Sequence, residues 1–456
     1  MRERNLLVMS AVIVVAIALV TAFGLSGIFR GEADQMPAIS TTSSLMATSV
    51  ETRATITPAP TQIQTTTTYA STQTQTMATS TSSLTPTSII TVTTPTRTAT
   101  SPATTITTTA PAAITTRELP SGTINGAGAS FLNPQMQAWA MKFYELTNGK
   151  IQVNYQSIGS GAGQAKFREG VLDFAGSDVP LKKDIYNEFK EKGGIIQFPV
   201  IIGSVAIVYN IPGAESGRLR LTGEILAKIY LGEITYWDDP AIKELNPDIA
   251  LPHERIIAVH RSDGSGTTFV LTAYLSKVSE KWKEKVGADF TVQWPVDEIG
   301  SGVGAKGNEG VAAAVKQNQY SIGYVEAAYA YELGLNVAEI RNSDGRYVLP
   351  TSETMKAAAR ALMARLPKAD EDWSGIFPHE VMDPPGPDSY PITSFSFVIL
   401  RQVYDDPVKV ELLREFFKWV LTAGQESENI VKGYIPLPPE VAEIGLRGLE
   451  MLRAGG

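Results

Sequence analysis

Two hydrophobic patterns alternate along residues 123–456. Short apolar runs bounded by turn residues predict strands at 151–155, 174–177, 205–209 and 395–400. Apolar positions at helical spacing predict helices over 134–146, 164–171 and 411–422, and the apolar stretch 268–275 is helix-like. Strand–helix alternation implies an α/β fold around a largely parallel sheet. This part of the chain exceeds the length at which single cores usually divide. The expectation is therefore two lobes joined by crossing strands. Lobe 1 is drawn from 122–204 and 392–456, and lobe 2 from 205–391.

Upstream the pattern changes twice. Arg2 and Arg4 precede an uncharged, mainly apolar stretch over 5–29, which Arg30 closes. About 20 apolar residues cross a bilayer, and a basic start favours a cytoplasmic N-terminus. Ala22-Phe23-Gly24 is also a small-residue cleavage site of the signal-peptide kind. Residues 1–30 thus read as a membrane anchor (a transmembrane helix) or as a signal segment. Both readings put the remainder of the chain outside the cytoplasm, and the anchored one sets the protein at the cell membrane. From 31 to 121, threonine, serine and proline dominate, as in Thr65-Thr66-Thr67-Thr68. No apolar face can be assembled there, which predicts a disordered stalk, either O-glycosylated or unmodified. The chain contains no Asn-x-Ser/Thr sequon, so N-linked sugar is not expected.

Composition removes several chemistries. A net charge of -8 argues against a nucleic-acid partner. With no cysteine there are no disulfides, thiolate metal sites, cysteine nucleophiles or cysteine-linked lipids. Only three histidines occur, His253, His260 and His379, so a histidine-rich metal site is not expected, nor is a cofactor.

Three glycine-punctuated helix starts carry the candidate chemistry. They are Gly126-Ala127-Gly128-Ala129-Ser130-Phe131, Gly159-Ser160-Gly161-Ala162-Gly163 and Arg261-Ser262-Asp263-Gly264-Ser265-Gly266-Thr267. Glycines permit close backbone approach, and free N–H groups with the helix dipole favour an anion. A serine near a helix start is ordinarily an N-cap, but three such loops and an arginine in one chain point to a shared anion. The loops are not a nucleotide cradle, because no Gly-Lys-Ser/Thr is present and no acid follows in the dinucleotide-binding layout. Gly300-Ser301-Gly302-Val303-Gly304 reads instead as a surface loop.

Asp178, in Gly176-Ser177-Asp178-Val179-Pro180, is out of place beside an anion unless the anion carries a proton. Phosphate near neutral pH keeps a P–OH group for a carboxylate to accept, whereas sulfate would meet an unpaired, repelling charge. The other reading of Asp178 is a cap for a helix after Pro180.

Gly126-Ala127-Gly128-Ala129-Ser130-Phe131, Ile158-Gly159-Ser160-Gly161, Gly176-Ser177-Asp178-Val179-Pro180 and the run from Arg261 to Thr267 resemble the periplasmic phosphate-binding proteins of high-affinity ABC phosphate transporters. So do Gln197-Phe198-Pro199, Ile229-Tyr230-Leu231-Gly232-Glu233-Ile234, Trp237-Asp238-Asp239, Gly307-Asn308-Glu309-Gly310, Ile322-Gly323-Tyr324-Val325-Glu326 and Tyr390-Pro391-Ile392-Thr393-Ser394. The resemblance implies a two-lobed, type II periplasmic-binding-protein fold. It implies a monomer that closes on one inorganic phosphate and delivers it to ABC transporter permease subunits. Carried over, Ser130 and Phe131 would offer hydroxyl and backbone donors, and Ser160 another. Asp178 would accept the phosphate proton, and Arg261, oriented by Asp263, would supply the charged contact. Ser265, Gly266 and Thr267 would close the ring. The stalk, the apolar N-terminus and the segment 297–305 depart from the family pattern, and the role of that segment is open.

Two rivals stand beside this reading. Another tetrahedral oxyanion (arsenate, sulfate or molybdate) would keep the fold and change the ligand. A phosphate-ester hydrolase would need Ser265 as nucleophile with His260 or His253 as base, and the pattern positions no acid to orient either histidine.

Overall fold

The computed structural model describes residues 119–363, 366–376 and 382–455. The anchor or signal segment 1–30 and all but the last three residues of the stalk 31–121 lie outside the described residues. Among the described residues no helix is long and apolar enough to cross a membrane.

In chain order the site-bearing elements begin with strand β1 (Gly122–Gly128), helix α1 (Asn133–Leu146), β2 (Ile151–Ser157), α2 (Ser160–Arg168), β3 (Phe174–Ser177) and the long β4 (Ile195–Asn210). Next come β5 (Ile257–Arg261), α3 (Gly266–Val278), β6 (Gly302–Ala305), α4 (Gly307–Gln317), β7 (Ser321–Glu326), α5 (Ala327–Leu333) and the short β8 (Asn336–Val337). β9 (Thr393–Arg401) and α6 (Pro407–Leu421) come late in the chain.

These nine strands form one sheet in the order β2-β1-β3-β9-β4-β7-β5-β6, with β8 also on β4. The expected largely parallel sheet is not what forms. β1–β2, β1–β3, β5–β6 and β5–β7 are parallel, but β9 runs antiparallel to both β3 and β4, and β4 antiparallel to β7 and β8. The sheet is mixed because β4 and β9 join two parallel sets from the middle. β4 is buried at every position except Asn210, the near-continuous apolar run expected of a strand covered on both faces. It pairs with β9 through Ile195–Ser204 and with β7 through Val205–Asn210. The β4–β9 ladder slips between Ser396 and Phe397, where Phe397 faces Pro199, a residue with no N–H to give.

Helices cover the sheet. α6 starts at an Asp406 cap that accepts from Val408 N, with Pro407 in its first turn. It buries Val410, Leu413, Phe416, Phe417 and Val420. The Phe417 ring meets Phe174 edge-on at 5.1 Å and Phe198 at 6.2 Å. Burying each such side chain contributes about 1.5–3 kcal/mol.

Two further expectations change. α2 begins at Ser160 rather than 164 and ends at Arg168. Its glycines resemble loop residues but serve close packing, since a Cβ on Gly163 would lie 2.5 Å from Gly128 Cα. The 300–304 run is not a loop throughout. Gly302–Ala305 forms β6, in parallel register with Ala258–Arg261. A half-exposed edge strand is held by its backbone ladder, so it shows no hydrophobic alternation. The rest of 297–305 forms the end of a short helix, Pro295–Glu298, and the turn into β6.

Candidate functional site

The three helix starts converge. Ser130, Phe131, Ser160, Asp178, Arg261, Ser265 and Thr267 are each at most 4% exposed, although most are polar. Groups so desolvated need partners.

Asp178 follows β3 and does not cap the next helix, which begins at Lys183 with Lys182 at its cap. Its Oδ1 accepts from Ser396 Oγ at 2.7 Å, and its Oδ2 lies 3.3 Å from Ser160 Oγ. Burial pushes the carboxyl up to about 7, against the opposing pull of the Ser396 hydrogen bond, the Arg261 charge and the Ser160 hydrogen bond. Ser396 is a site residue that the sequence pattern alone does not single out. Its one signal is the alternation Ser394-Phe395-Ser396-Phe397, with polar residues at every second position of a buried strand.

Opposite stands the start of α3. Ser265 Oγ accepts from Thr268 N at 3.0 Å, the ordinary cap, while Ser265 N donates to Phe290 O at 2.8 Å. Gly266 and Thr267 occupy the first helical positions, where N–H groups have no intrahelical acceptor. Gly266 admits no side chain, because a Cβ would lie 2.4 Å from Ser160 Oγ and 2.5 Å from Asp178 Oδ2. Ser160 itself opens α2 and presents a first-turn N–H in the same way.

Arg261 ends β5. Its Nε and Nη2 donate to Asp263 Oδ1 and Oδ2 at 2.7 and 2.6 Å, a two-pronged pair. Burial alone would lower Arg261, but Asp263 outweighs it and holds the guanidinium above its ordinary value. Burial likewise opposes ionisation of Asp263, and Arg261 overcomes it, keeping the carboxyl below its usual range. Arg261 Nη1 reaches Thr267 Oγ1 at 3.5 Å, and Arg261 N donates to Tyr324 OH at 3.0 Å. A fixed cation therefore sits beside the α3 start.

Ser130 and Phe131 lie in the turn before α1. Ser130 Oγ accepts from Asn308 N at 3.1 Å and Asn308 Nδ2 at 2.9 Å, and Asn308 Nδ2 also donates to Thr267 Oγ1 at 3.0 Å. Asn308 thus links the first loop to the third. The Phe131 ring packs edge-on against Tyr434, and its carbonyl accepts from the Tyr434 hydroxyl. Across the same gap Gly161 N donates to Gly264 O at 3.0 Å and Ser157 Oγ to Glu309 Oε1 at 2.7 Å.

The Ser265–histidine pair of the hydrolase reading is not assembled. The ring nitrogens of His260 face Arg261 O and Asp297 Oδ1, at 3.1 and 2.8 Å, rather than Ser265. His253 stacks on Tyr236 and pairs with Asp238 in solvent. Among the described residues no cluster of His, Asp or Glu is placed to hold a metal ion.

The model for the PBP superfamily domain matches residues 113–423. Phosphate-binding protein PstS of Methanocaldococcus jannaschii is 42% identical over 347 residues, covering 74% of this chain and 89% of that protein. PstS of Pasteurella multocida is 43% identical over 333 residues, covering 73% and 90%. The chain belongs to the PstS family of phosphate-binding proteins. The relatives are named as phosphate-binding proteins, a substrate-binding family that is not enzymatic.

Solved structures agree on the fold. A high-affinity periplasmic phosphate-binding protein (PfluDING), solved with phosphate at pH 8.5, superposes with a TM-score of 0.56 at 24% identity, covering 71% of this chain and 92% of its own. The phosphate-binding protein of Stenotrophomonas maltophilia gives 0.53 at 20% identity, covering 72% and 94%. The architecture is the α/β periplasmic-binding-protein fold of this PstS-family chain.

Proposed function

We propose that this chain is an extracytoplasmic phosphate-binding protein that captures inorganic phosphate between two lobes and delivers it to the permease of an ABC importer. The observation that carries this reading is the charge pattern of the buried site. Donors come from three helix starts and Arg261, and Asp178 is the carboxylate that faces them. Such a set suits an anion that still carries one proton.

In this reading the Ser130 hydroxyl and Phe131 N–H donate from the first loop, and Ser160 donates through its N–H and hydroxyl. Arg261 gives a charge-assisted contact, with Asp263 holding its plane. The Ser265 and Thr267 hydroxyls and the Gly266 and Thr267 N–H groups close the ring. Asp178 shares one proton with the phosphate, so the contact is one hydrogen bond whichever group bears it. The lobes are 122–204 with 392–456, and 205–391. The partner change of β4 between Ser204 and Val205 supports the first boundary. Phosphate touching both lobes favours the closed state by its differential contacts, as in a type II binding protein. The chain works as a monomer, and residues 1–30, as a retained anchor, hold it at the cell membrane near the permease at raised effective concentration.

Calorimetry of the purified chain with phosphate, arsenate and sulfate tests the reading. Phosphate and arsenate, both protonated near neutral pH, bind; sulfate binds at least about 100-fold more weakly, the cost of an unpaired buried charge. Equal affinity for sulfate would sink the proton argument, and no phosphate heat at all would sink the function.

A further inference from the structure

We infer that Asn308, in the Gly307-Asn308-Glu309-Gly310 segment at the start of α4, sets the donor direction of two of the site hydroxyls, Ser130 and Thr267, and so tunes the affinity of the site for an anion. The inference rests on the phosphate-binding reading above and concerns a residue that does not itself need to touch the ligand.

A hydroxyl has one proton and two lone pairs, and it presents whichever its neighbours leave free. Ser130 Oγ receives two hydrogen bonds from Asn308, from N at 3.1 Å and from Nδ2 at 2.9 Å. Both lone pairs are then engaged, and the Ser130 proton must find its acceptor elsewhere. Thr267 Oγ1 receives Asn308 Nδ2 at 3.0 Å and Arg261 Nη1 at 3.5 Å. Its proton too is left to donate. Asn308 Oδ1 accepts from Glu326 N at 2.9 Å, which assigns the amide orientation: the oxygen faces the backbone donor and the NH₂ faces the hydroxyls. Asn308 is 0% exposed, as are Thr267 and Glu326, so no bulk water competes for these bonds.

The consequence is chemical polarity. Without Asn308 each hydroxyl could turn its lone pairs toward the site and repel an anion, or spend its proton on a neighbour. With Asn308 in place, both are held as donors before the ligand arrives, and the ordering cost is met in advance. Ser130 lies before α1 and Thr267 opens α3, so one side chain orients donors from two separate loops.

A double-mutant cycle read by phosphate calorimetry tests this. Asn308→Ala is measured in the parent chain and in a Ser130→Ala, Thr267→Val background that lacks both hydroxyls. In the parent, Asn308→Ala weakens phosphate binding by about 10- to 100-fold, the range for orphaned buried hydrogen-bond partners. In the Ser130→Ala, Thr267→Val background the same change costs less than about 3-fold, since the groups it orients are gone. Equal losses in both backgrounds would reduce Asn308 to a packing residue and overturn the inference. Asn308→Leu, close in volume and apolar, is carried through the same cycle, so that collapse of the alanine variant leaves the result decided. A parent chain that binds no phosphate overturns the functional reading instead; a parent that binds normally without coupling overturns only the role of Asn308.

Discussion

In the proposed reading, Asp178 decides what kind of anion the site accepts. At high pH it is an acceptor, matched to phosphate and mismatched to sulfate. Burial chiefly pushes its carboxyl up to about 7. Below that pH it becomes a donor, and the mismatch with sulfate is relieved. The expected outcome is a phosphate-over-sulfate preference that narrows by at least about 10-fold between pH 8 and pH 5. Asp178→Asn, a permanent donor, abolishes that narrowing. Calorimetric titrations of both anions at the two pH values check it, and a preference independent of pH would contradict it. The candidate residues of the three loops lie in one buried cluster; each loop alone reads as a helix cap, and the recurrence of three with an arginine is what makes them legible. Ser396 and Asn308 are not legible as site residues. Their roles depend on which strand and helix the fold sets beside Asp178 and Ser130, over sequence separations of 218 and 178 residues.

At the scale of elements, α2 shows how packing overrides propensity. Two of its first four helical positions are glycine, Gly161 and Gly163, a poor helix start by intrinsic preference. An alanine at 163 would ordinarily favour the helix by about 1 kcal/mol. Here its Cβ would lie 2.5 Å from Gly128 Cα and 2.9 Å from Ala127 O, backbone atoms of β1 that cannot swing aside. Overpacking of that kind costs about 1–3 kcal/mol. Gly163→Ala therefore lowers the melting temperature despite its better helix propensity, and it weakens phosphate binding by displacing Ser160. Thermal melts and calorimetry of the one variant read both effects; a raised melting temperature would refute the packing argument. The same tension explains why the hydrophobic pattern starts α2 too late: its glycines are spaced like a loop and used as a helix–strand seam.

At the scale of the molecule, burial of acids gives the protein a distinctive pH response. The Asp178 pKa rises from 3.8 to about 7, so between those values the native state holds a proton that the unfolded chain has released. Stability from this group is full below about 4, falls as pH rises, and is flat above about 7. Glu326, fully buried at the end of β7, is also raised well above its ordinary value by burial and adds in the same direction. Asp178→Asn carries no such proton, so its stability relative to the parent rises between pH 4 and pH 7 and then levels. Denaturant midpoints of both proteins across that range, without phosphate, measure the difference. A constant difference would show that Asp178 titrates normally.

Local pattern was enough for the α/β class, for four of the nine sheet strands in whole or part, for α1, α3 and α6, and for the three glycine-punctuated loops with the acid set among them. These are matters of period, turn chemistry and side-chain valence, all contained within short windows of chain. The mixed sheet, the extension of that sheet by β6 where a loop was expected, and the place of Ser396 and Asn308 in the polar cluster emerge only from the assembled fold. Strand direction and cross-chain hydrogen bonds arise when β4 and β9 run antiparallel through the centre of the sheet, and no local window contains both partners. The slip opposite Pro199 depends likewise on two strands meeting, and so does the pairing of Ser396 with Asp178.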